Sequence, residues 1–455
     1  MKTRMNFKDE FYQKLKLLVL PIAIQNFMLA LVSATDAIML GWIDQTSLSA
    51  VSLAGQVQFV LSLFISGIAA GAGIMAAQNW GKRDAASIEK VIPIALRTNL
   101  LFSGLFTILA GFCPEILMRI FTNDVALVAS GSQYLRAVAL SYVLCGISQV
   151  YLILLKNTGH AAVSSRISST AVVLNIILNA ILIYGLCGAP ALGIRGAAYA
   201  TVAARVVELI WAYLETKKPE RVRILWNRLF SSAGKILSED FWRYTLPVLA
   251  ASLVWGIAYV LYSVIMGHMG SDAVAANSIT SIAKSLLSCL IRGVSGGAGV
   301  LIGNLLGANE LEKAREYGGR LSHLSIAIGI VTGGLLMLIS PAIVHFAPLS
   351  DTAAEYLQYM LLFCCLNLMA QSVNTTVLDG IFCAGGDAKF DMQGNIGAMW
   401  CFSVPLGFLA AFWLKLPVMV VYCIVNLDEI VKLPAVYHHY KKYIWVRNIT
   451  RDVED

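Results

Sequence analysis

Long apolar stretches impose the strongest constraint on how this chain can fold. Each holds about 20 predominantly apolar residues, enough for an α-helix to cross a hydrocarbon core of about 30 Å. Hydrophobic residues make up 58% of the chain and charged residues only 13%, against about 25% charged residues in soluble domains. A transmembrane β-barrel is disfavoured because its strands are alternating segments of about ten residues. We therefore predict an all-α integral membrane protein with twelve transmembrane spans, at residues 16–40, 50–78, 90–113, 132–155, 167–187, 193–215, 244–267, 274–304, 318–341, 353–381, 391–414 and 416–432.

Basic residues in the connections predict the orientation of these spans. Connections after even-numbered spans carry most of the Lys and Arg, whereas those after odd-numbered spans, such as 42–49 and 188–194, carry almost none. Because short cytoplasmic loops hold the positive excess, we predict a multi-pass protein of the cytoplasmic (inner) membrane with both termini in the cytoplasm. The formal net charge of +7 follows from this topology. The basic run at 217–235 therefore indicates a solvated linker, and no nucleic-acid partner is expected.

An internal repeat divides the chain into two like halves. Adding 226 to a residue number in the first half returns the same residue at many positions of the second half. In a strongly apolar chain, such a repeat is typical of a transporter with a site near the middle. We predict an N-lobe at 1–216 (spans 1–6), a basic cytoplasmic linker at 217–242 and a C-lobe at 243–455 (spans 7–12 with a cytoplasmic tail). The matching positions include Leu20-Pro21 with Leu246-Pro247, Gly41 with Gly267, Gly67 with Gly293, Gly71 with Gly297, and Gly81 with Gly307.

The sequence lacks the residue groupings of an enzyme. The six histidines form no metal-binding cluster, and the nine cysteines have no metal or redox spacing. A phosphate-binding loop of the P-loop type is also missing, so the energy for transport must come from an ion gradient or a separate subunit. We predict no enzymatic activity and no cofactor.

Polar residues inside the spans are the candidate functional residues, because an ionisable side chain at the membrane centre costs about 2.5–3.5 kcal/mol. Asp36 lies in the outer half of span 1, which has no basic residue beyond Lys16. A lone carboxylate in low dielectric favours its protonated form. Asp36 is therefore predicted to accept a proton or, with neutral oxygens around it, to bind sodium. The alternative is a carboxylate that caps the helix or reaches the outer surface.

Two amides in span 5 are candidate partners of that carboxylate. Asn175 and Asn179 are four residues apart and so share a helix face. Two amides on one stripe are too polar to face lipid. They either bind Asp36 or a cation, or they join neighbouring helices through hydrogen bonds.

Two further groups of charged residues are predicted to be structural. Arg205 and Glu208 in span 6 are three residues apart and should pair with each other. Near the inner end of span 12, Asp428 and Glu429 precede Lys432 at the spacing of similar pairs.

Several motifs match one family. They are Leu20-Pro21 with Gln25-Asn26, Asp36 followed by Gly41, Leu174-Asn175-Ile176-Ile177-Leu178-Asn179, Ala191-Leu192-Gly193-Ile194-Arg195-Gly196-Ala197-Ala198-Tyr199-Ala200-Thr201, Ala384-Gly385-Gly386-Asp387, and Trp445-Val446-Arg447-Asn448-Ile449-Thr450. Through them the chain resembles the multidrug and toxic compound extrusion (MATE) transporters over nearly its whole length. The resemblance implies two pseudo-symmetric six-helix lobes that form a V-shaped cavity, and secondary-active export of drugs or metabolites against inflow of protons or sodium.

The resemblance also implies a cation site in the N-lobe. The family's span 1 aspartate and the polar residues of spans 5 and 6 correspond to Asp36, Asn175, Asn179 and Thr201. Some members have an aspartate in place of Asn179. With Asp36 as the one acid, we expect one proton or one sodium ion for each transport cycle.

The C-lobe departs from the family pattern. Many relatives carry an Asn-Glu pair in span 7 where this chain has Ala251 and Ser252, and some have an acid near Ser372 of span 10, where this chain has none. The resemblance therefore implies that the C-lobe cation site is lost. Asp379 lies two helical turns beyond Ser372 on the same face and is a potential replacement.

An ion pair with Arg292 of span 8 is the preferred interpretation of Asp379. Lys284, also in span 8, would make the C-lobe wall more basic if it faces the cavity. Tyr262 is the residue opposite Asp36 in the repeat. The candidate polar or substrate contacts of the C-lobe are therefore Ser252, Tyr262, Lys284, Arg292 and Asp379.

The leading functional hypothesis is an antiporter that exports an organic solute and binds its coupling ion, H+ or Na+, in the N-lobe. A flippase for a lipid-linked saccharide is the alternative, since such proteins share the broader superfamily. A flippase should line its cavity with several cations, yet basic residues within the spans are few, chiefly Arg97, Arg136, Lys284 and Arg292. The expected partners are a small-molecule substrate and the lipid bilayer, and we expect a monomer.

Overall fold

A computed structural model describes residues 2–43, 45–219, 221–224, 226, 229, 234–347 and 349–451, and every regular element in those ranges is a helix. The α-helices are α1 (Lys2–Gly41), α2 (Gln45–Gly81), α3 (Ala85–Phe112), α4 (Pro114–Arg119), α5 (Val125–Leu155), α6 (Ala161–Tyr184), α7 (Ile194–Thr216), α8 (Lys235–Gly267), α9 (Ser271–Gly307), α10 (Leu311–Phe346), α11 (Asp351–Thr375), α12 (Ala388–Asn395), α13 (Val404–Phe408), α14 (Val418–Val425) and α15 (Asp428–Tyr440). Wider π-helical segments follow α11 at Thr376–Phe382 and flank α13 at Ile396–Ser403 and Leu409–Trp413.

The helices account for all twelve predicted spans. Ten helical segments of the described chain are long and apolar enough to cross a membrane. One of them, Val125–Tyr184, contains both α5 and α6, which meet at an irregular turn over residues 156–160 and represent two spans. The last span corresponds to α14 and the start of α15. The all-α, multi-pass prediction is confirmed.

The twelfth predicted span, 416–432, consists of two helical segments, α14 and the start of α15. α14 ends at Val425, and Asn426 leaves the helical conformation with φ −103°. The side-chain amide of Asn367, on α11, donates to the carbonyl of Asn426 at 2.7 Å. This bond satisfies a carbonyl that the interrupted helix leaves without its usual partner.

The sequence repeat reappears in the helix bounds. α2 and α9 each contain 37 residues, and both bounds of α9 equal those of α2 plus 226. The turns that follow them repeat as well, because Arg83 and Asn309 both take left-handed conformations, with φ 65° and 62°. Asp84 and Glu310 then precede the next helices, α3 and α10.

The chain forms two compact units. The continuous unit comprises residues 27–249, and the split unit comprises residues 2–26 with 250–451. α1 and α8 therefore each begin in one unit and continue in the other. Both division points follow shortly after the repeated prolines, Pro21 and Pro247.

Glycines at equivalent positions of the repeat contact the parts of α1 and α8 that precede the division points. In the continuous unit, a Cβ on Gly67 of α2 would lie 2.8 Å from the Cα of Leu249 in α8. In the split unit, a Cβ on Gly293 of α9 would lie 2.6 Å from the Cβ of Ala23 in α1. These contacts are equivalent under the 226-residue offset, and the missing side chains let the helix backbones approach closely.

The predicted linker at 217–242 is partly helical, since α8 begins at Lys235. Residues 220, 225, 227, 228 and 230–233 of this segment, including Arg228, lie outside the described residues. In the described part, the guanidinium of Arg221 pairs with Glu215 at 2.7 Å. The indole of Trp226 donates to the hydroxyl of Tyr151 at 2.8 Å.

The C-terminal motif contacts the glycine motif that precedes α12. The guanidinium of Arg447 donates to the carbonyls of Gly385 at 2.7 Å and Gly386 at 2.6 Å. Gly386 has φ 73°, which glycine adopts without a Cβ penalty. Trp445 is fully buried beside them.

Candidate cation-binding site

Three helices of the continuous unit contribute the predicted N-lobe residues. α1 carries Asp36, α6 carries Asn175 and Asn179, and α7 carries Thr201. The two asparagines are 5% and 0% exposed, as expected for two amides on one face of a helix that packs inward. Asp36 and Thr201 are half-buried.

Hydrogen bonds join these four side chains into one network. The amide nitrogen of Asn179 donates to Asp36 Oδ1 at 2.5 Å and to Asn175 Oδ1 at 3.2 Å. The amide nitrogen of Asn175 donates to Thr201 Oγ1 at 3.3 Å. The Thr201 hydroxyl in turn donates to the carbonyl of Ala197 at 3.0 Å. The structure thus brings together all four residues that the sequence singled out.

Two properties make this network a candidate site for a cation. Asp36 makes no ion pair with any described residue, and its side-chain hydrogen bond comes from the neutral amide of Asn179. The amide oxygen of Asn179 is buried and accepts no hydrogen bond. A carboxylate next to an unused amide oxygen is an arrangement that a proton or a hard cation such as sodium can complete.

Tyrosines near Asp36 were missed by the sequence reasoning. The Tyr184 hydroxyl, at the end of α6, donates to the carbonyl of Met39 at 2.7 Å and so links α6 to the turn of α1 that follows Asp36. Tyr134 of α5 is 8% exposed and lies within electrostatic range of Asp36. Tyrosine counts as an apolar residue in a hydropathy pattern, so no polar signal marked either position.

The predicted Arg205–Glu208 ion pair is confirmed. The guanidinium of Arg205 lies 2.9 Å from Glu208 Oε2, and the glutamate is 1% exposed. The Ser148 hydroxyl donates to Glu208 Oε1 at 2.6 Å. This buried carboxylate therefore has a full counterion, unlike Asp36.

The candidate C-lobe residues do not form a comparable network. Ser252 and Lys284 are half-buried, Tyr262 is buried, and Arg292 and Asp379 are exposed. Among the described residues, Lys284, Arg292 and Asp379 form no ion pair with one another.

The predicted ion pair between Arg292 and Asp379 is therefore wrong. The prediction rested on the similar depth of Arg292 and Asp379 in their spans. Asp379 lies in the π-helical segment Thr376–Phe382, so a regular α-helix is a poor guide to which neighbours its side chain meets.

The ion pairs predicted around Lys432 are confirmed. The Lys432 ammonium lies 3.3 Å from Glu429 Oε1 and 3.6 Å from Asp428 Oδ2. Lys432 and Asp428 are each 5% exposed.

Comparisons with known proteins agree with one another. A family model described as MatE matches residues 21–181 and 247–409, one segment in each half of the repeat. The uncharacterized transporter YisQ of Bacillus subtilis (strain 168) is 21% identical over 94% of this chain and 93% of its own length. The probable multidrug resistance protein YoeA of the same strain is 21% identical over 99% and 98%. The solved structure of a MOP superfamily transporter from Pyrococcus furiosus has a TM-score of 0.85 at 20% identity and covers 95% of each chain, which shows a shared fold.

Proposed function

Because the chain belongs to the MatE family, we propose that it is a secondary-active efflux antiporter that exports an organic solute across the cytoplasmic membrane in exchange for protons or sodium. The matched segments cover most of both halves, and a relative of nearly equal length is named a probable multidrug resistance protein. In this proposal both termini are cytoplasmic, since the connections after even-numbered spans are the basic ones. No enzymatic step and no cofactor are part of it.

One observation supports the coupling site most directly. Asp36 has an amide donor but no counterion among the described residues, and the unused oxygen of Asn179 lies on the same amide group. We infer that Asp36, Asn175, Asn179 and Thr201 bind the coupling ion. A bound cation would neutralise the negative charge of the Asp36 carboxylate, and its release would restore that charge. The occupied and empty states of the site would therefore differ in electrostatic free energy.

Proteoliposomes with imposed pH and sodium gradients test this proposal. Asp36→Asn should abolish gradient-driven efflux for whichever ion the wild-type protein uses. Asp124→Asn is the matched control, because Asp124 is an exposed helix cap of α5 that an asparagine replaces well. Undiminished coupled efflux by Asp36→Asn would refute the assignment of the site.

The flippase alternative has less support. Arg136, one of the few basic residues within the spans, pairs at 3.4 Å with Glu115, and both side chains are exposed. A basic residue that already has an acidic partner is a poor ligand for a pyrophosphate. Efflux of a water-soluble solute without movement of any lipid-linked saccharide would separate the two functions.

A further inference from the structure

A second ionisable network lies in the split unit and includes none of the residues assigned to ion coupling. Lys432 of α15 lies at its centre, with its ammonium 3.1 Å from Asn395 Oδ1 in addition to the two carboxylates already described. The Asn395 amide donates to Asp391 Oδ1 at 3.1 Å. We name Asp391, Asn395, Asp428, Glu429 and Lys432 the Lys432 cluster.

The cluster is buried and its charges do not balance. Asp391, Asp428 and Lys432 are 7%, 5% and 5% exposed, and the Glu429 side chain is 12% exposed. The cluster therefore contains three carboxylates and one ammonium group. Burial of an uncompensated charge is unfavourable, and a bound cation would relieve that cost.

Asp391 is the carboxylate that lacks a counterion. Asp428 and Glu429 both lie within 4 Å of the Lys432 ammonium. Within the described part of the chain, Asp391 makes no ion pair, and its side-chain partner is the neutral amide of Asn395. Its environment thus resembles that of Asp36, although the two belong to different units.

An unused hydrogen-bond acceptor adds independent support. Asn374 of α11 is 1% exposed, and its amide nitrogen donates to the Glu429 backbone carbonyl at 2.6 Å and to Oε2 at 2.7 Å. The oxygen of the same amide group is buried and accepts no hydrogen bond. This unused acceptor belongs to the amide group that contacts Glu429, so it marks an unmet hydrogen bond at the edge of the cluster, which an additional proton on the shared carboxyl groups can satisfy.

Charged and titratable groups on neighbouring elements complete the surroundings. Lys284 of α9 lies within electrostatic range of Asp428 and Glu429, as does Tyr262 of α8. Asp379, in the segment after α11, lies within range of Asp391, Glu429, Lys432 and Arg292. Asp379 thus adds a fourth carboxylate near Asp391. In the described chain, Lys432 is the cation within electrostatic range of Asp391, whereas Lys284 acts on Asp428 and Glu429.

We propose that the Lys432 cluster binds one exchangeable proton, shared by its carboxylates and held mainly at Asp391. A proton fits better than sodium because the Lys432 ammonium already contacts the oxygens of Asn395, Asp428 and Glu429, which a metal ion would need as ligands. The proton belongs to the coupled group, as expected for acids that interact strongly. A role for this proton in transport rests on the proposed antiport function.

Infrared difference spectroscopy tests proton binding without any transport. Purified Asp36→Asn protein in lipid nanodiscs is titrated upward from about pH 6, where ordinary surface carboxyl groups are already ionised. The carbonyl stretch of one protonated carboxyl group should disappear during the titration. Isotope-labelled aspartate should shift that band if Asp391 is the main carrier.

Variants then assign the band. Adding Asp391→Asn to the Asp36→Asn background should remove the titrating group, whereas adding Glu208→Gln should leave it unchanged, since Glu208 has Arg205 as counterion. No titrating carboxyl group in the Asp36→Asn protein would overturn the proposal, because Asp391 would then keep one protonation state and bind no exchangeable proton. Persistence of the band after Asp391→Asn would also overturn its assignment.

Transport assays separate this proposal from the antiport function. If the protein shows no gradient-driven efflux at all, the antiport proposal fails, and the infrared titration still decides whether the cluster binds a proton. If efflux occurs and the cluster takes part, the wild-type protein should exchange one proton for each substrate in addition to the single cation expected from Asp36, and Asp391→Asn should remove that additional proton. An unchanged number would exclude the cluster from the transport cycle.

Discussion

Replacement of Asn179 by aspartate gives the sharpest test of the electrostatics at the candidate cation site. The change puts a carboxyl group where an amide nitrogen now lies 2.5 Å from Asp36 Oδ1. Two ionised carboxylates repel each other by about 4 kcal/mol even at a separation of about 4 Å and an effective dielectric of about 20. This energy favours retention of one proton by about a thousandfold, since each tenfold change corresponds to about 1.36 kcal/mol. We therefore expect Asn179→Asp to bind one more proton at neutral pH than the wild-type protein.

Potentiometric titration of the purified proteins in weakly buffered detergent solution measures that extra proton. Asn175→Asp is the matched control. Asn175 Oδ1 accepts its hydrogen bond from Asn179, and a carboxylate there keeps that bond without facing Asp36 directly. The extra proton should be held less tightly in this control. If Asn179→Asp binds no additional proton near pH 7, the site is hydrated enough to hold two charges, and the reasoning about an isolated carboxylate is refuted.

Two further predictions concern the scaffold. Gly293→Ala should lower the free energy of unfolding by about 1–3 kcal/mol, because the new Cβ would lie 2.6 Å from the Cβ of Ala23. Thermal unfolding measures this loss, and Gly104→Ala, whose new Cβ would have no tertiary contact within 4 Å among the described residues, should not show it. Burial alone raises the pKa of Asp84, but hydrogen bonds from the Ser87 hydroxyl and amide, with nearby lysines, lower it overall. A lowered pKa in the folded state contributes stability above the unfolded-state value of about 4, and that contribution is lost as the pH falls. Asp84→Ala should therefore lower the free energy of unfolding by about 1 kcal/mol at pH 7 and by less in acid. Asp84→Asn should retain most of the helix cap. An equal loss for Asp84→Ala at both pH values would contradict this account.

The spans and the network around Asp36 could be predicted from the sequence because both depend on simple periodicity. Apolar runs of sufficient length become helices in a membrane, and two asparagines four residues apart on one helix share a face. A single acid in span 1 then has few alternative partners. The hydrogen bonds of Asn179 to Asp36 and Asn175 follow that expectation.

The Lys432 cluster could not be predicted in the same way. Asp428, Glu429 and Lys432 form a local group in the sequence, but Asp391 and Asn395 come from α12, and the approach of Asn395 to Lys432 depends on tertiary packing. Helical periodicity also fails where the helix changes type. Asp379 is an example, since it lies in the π-helical segment Thr376–Phe382, where the 3.6-residue period assumed for it does not hold.

α1 and α8 each begin in one unit and continue in the other, and this arrangement has a consequence for the order of biosynthesis. The continuous unit is complete once residue 249 has been made, whereas residues 2–26 belong to a unit whose remainder begins at residue 250. Ala23 meets Gly293 only after about 270 further residues, which takes roughly 15–55 s at about 5–20 residues per second. The first half of α1 must therefore wait in the bilayer for its partner while the continuous unit assembles. A chain cut within 217–234 would deprive each fragment of a helix half that its own unit needs, so the two fragments should become stable only when they are made together.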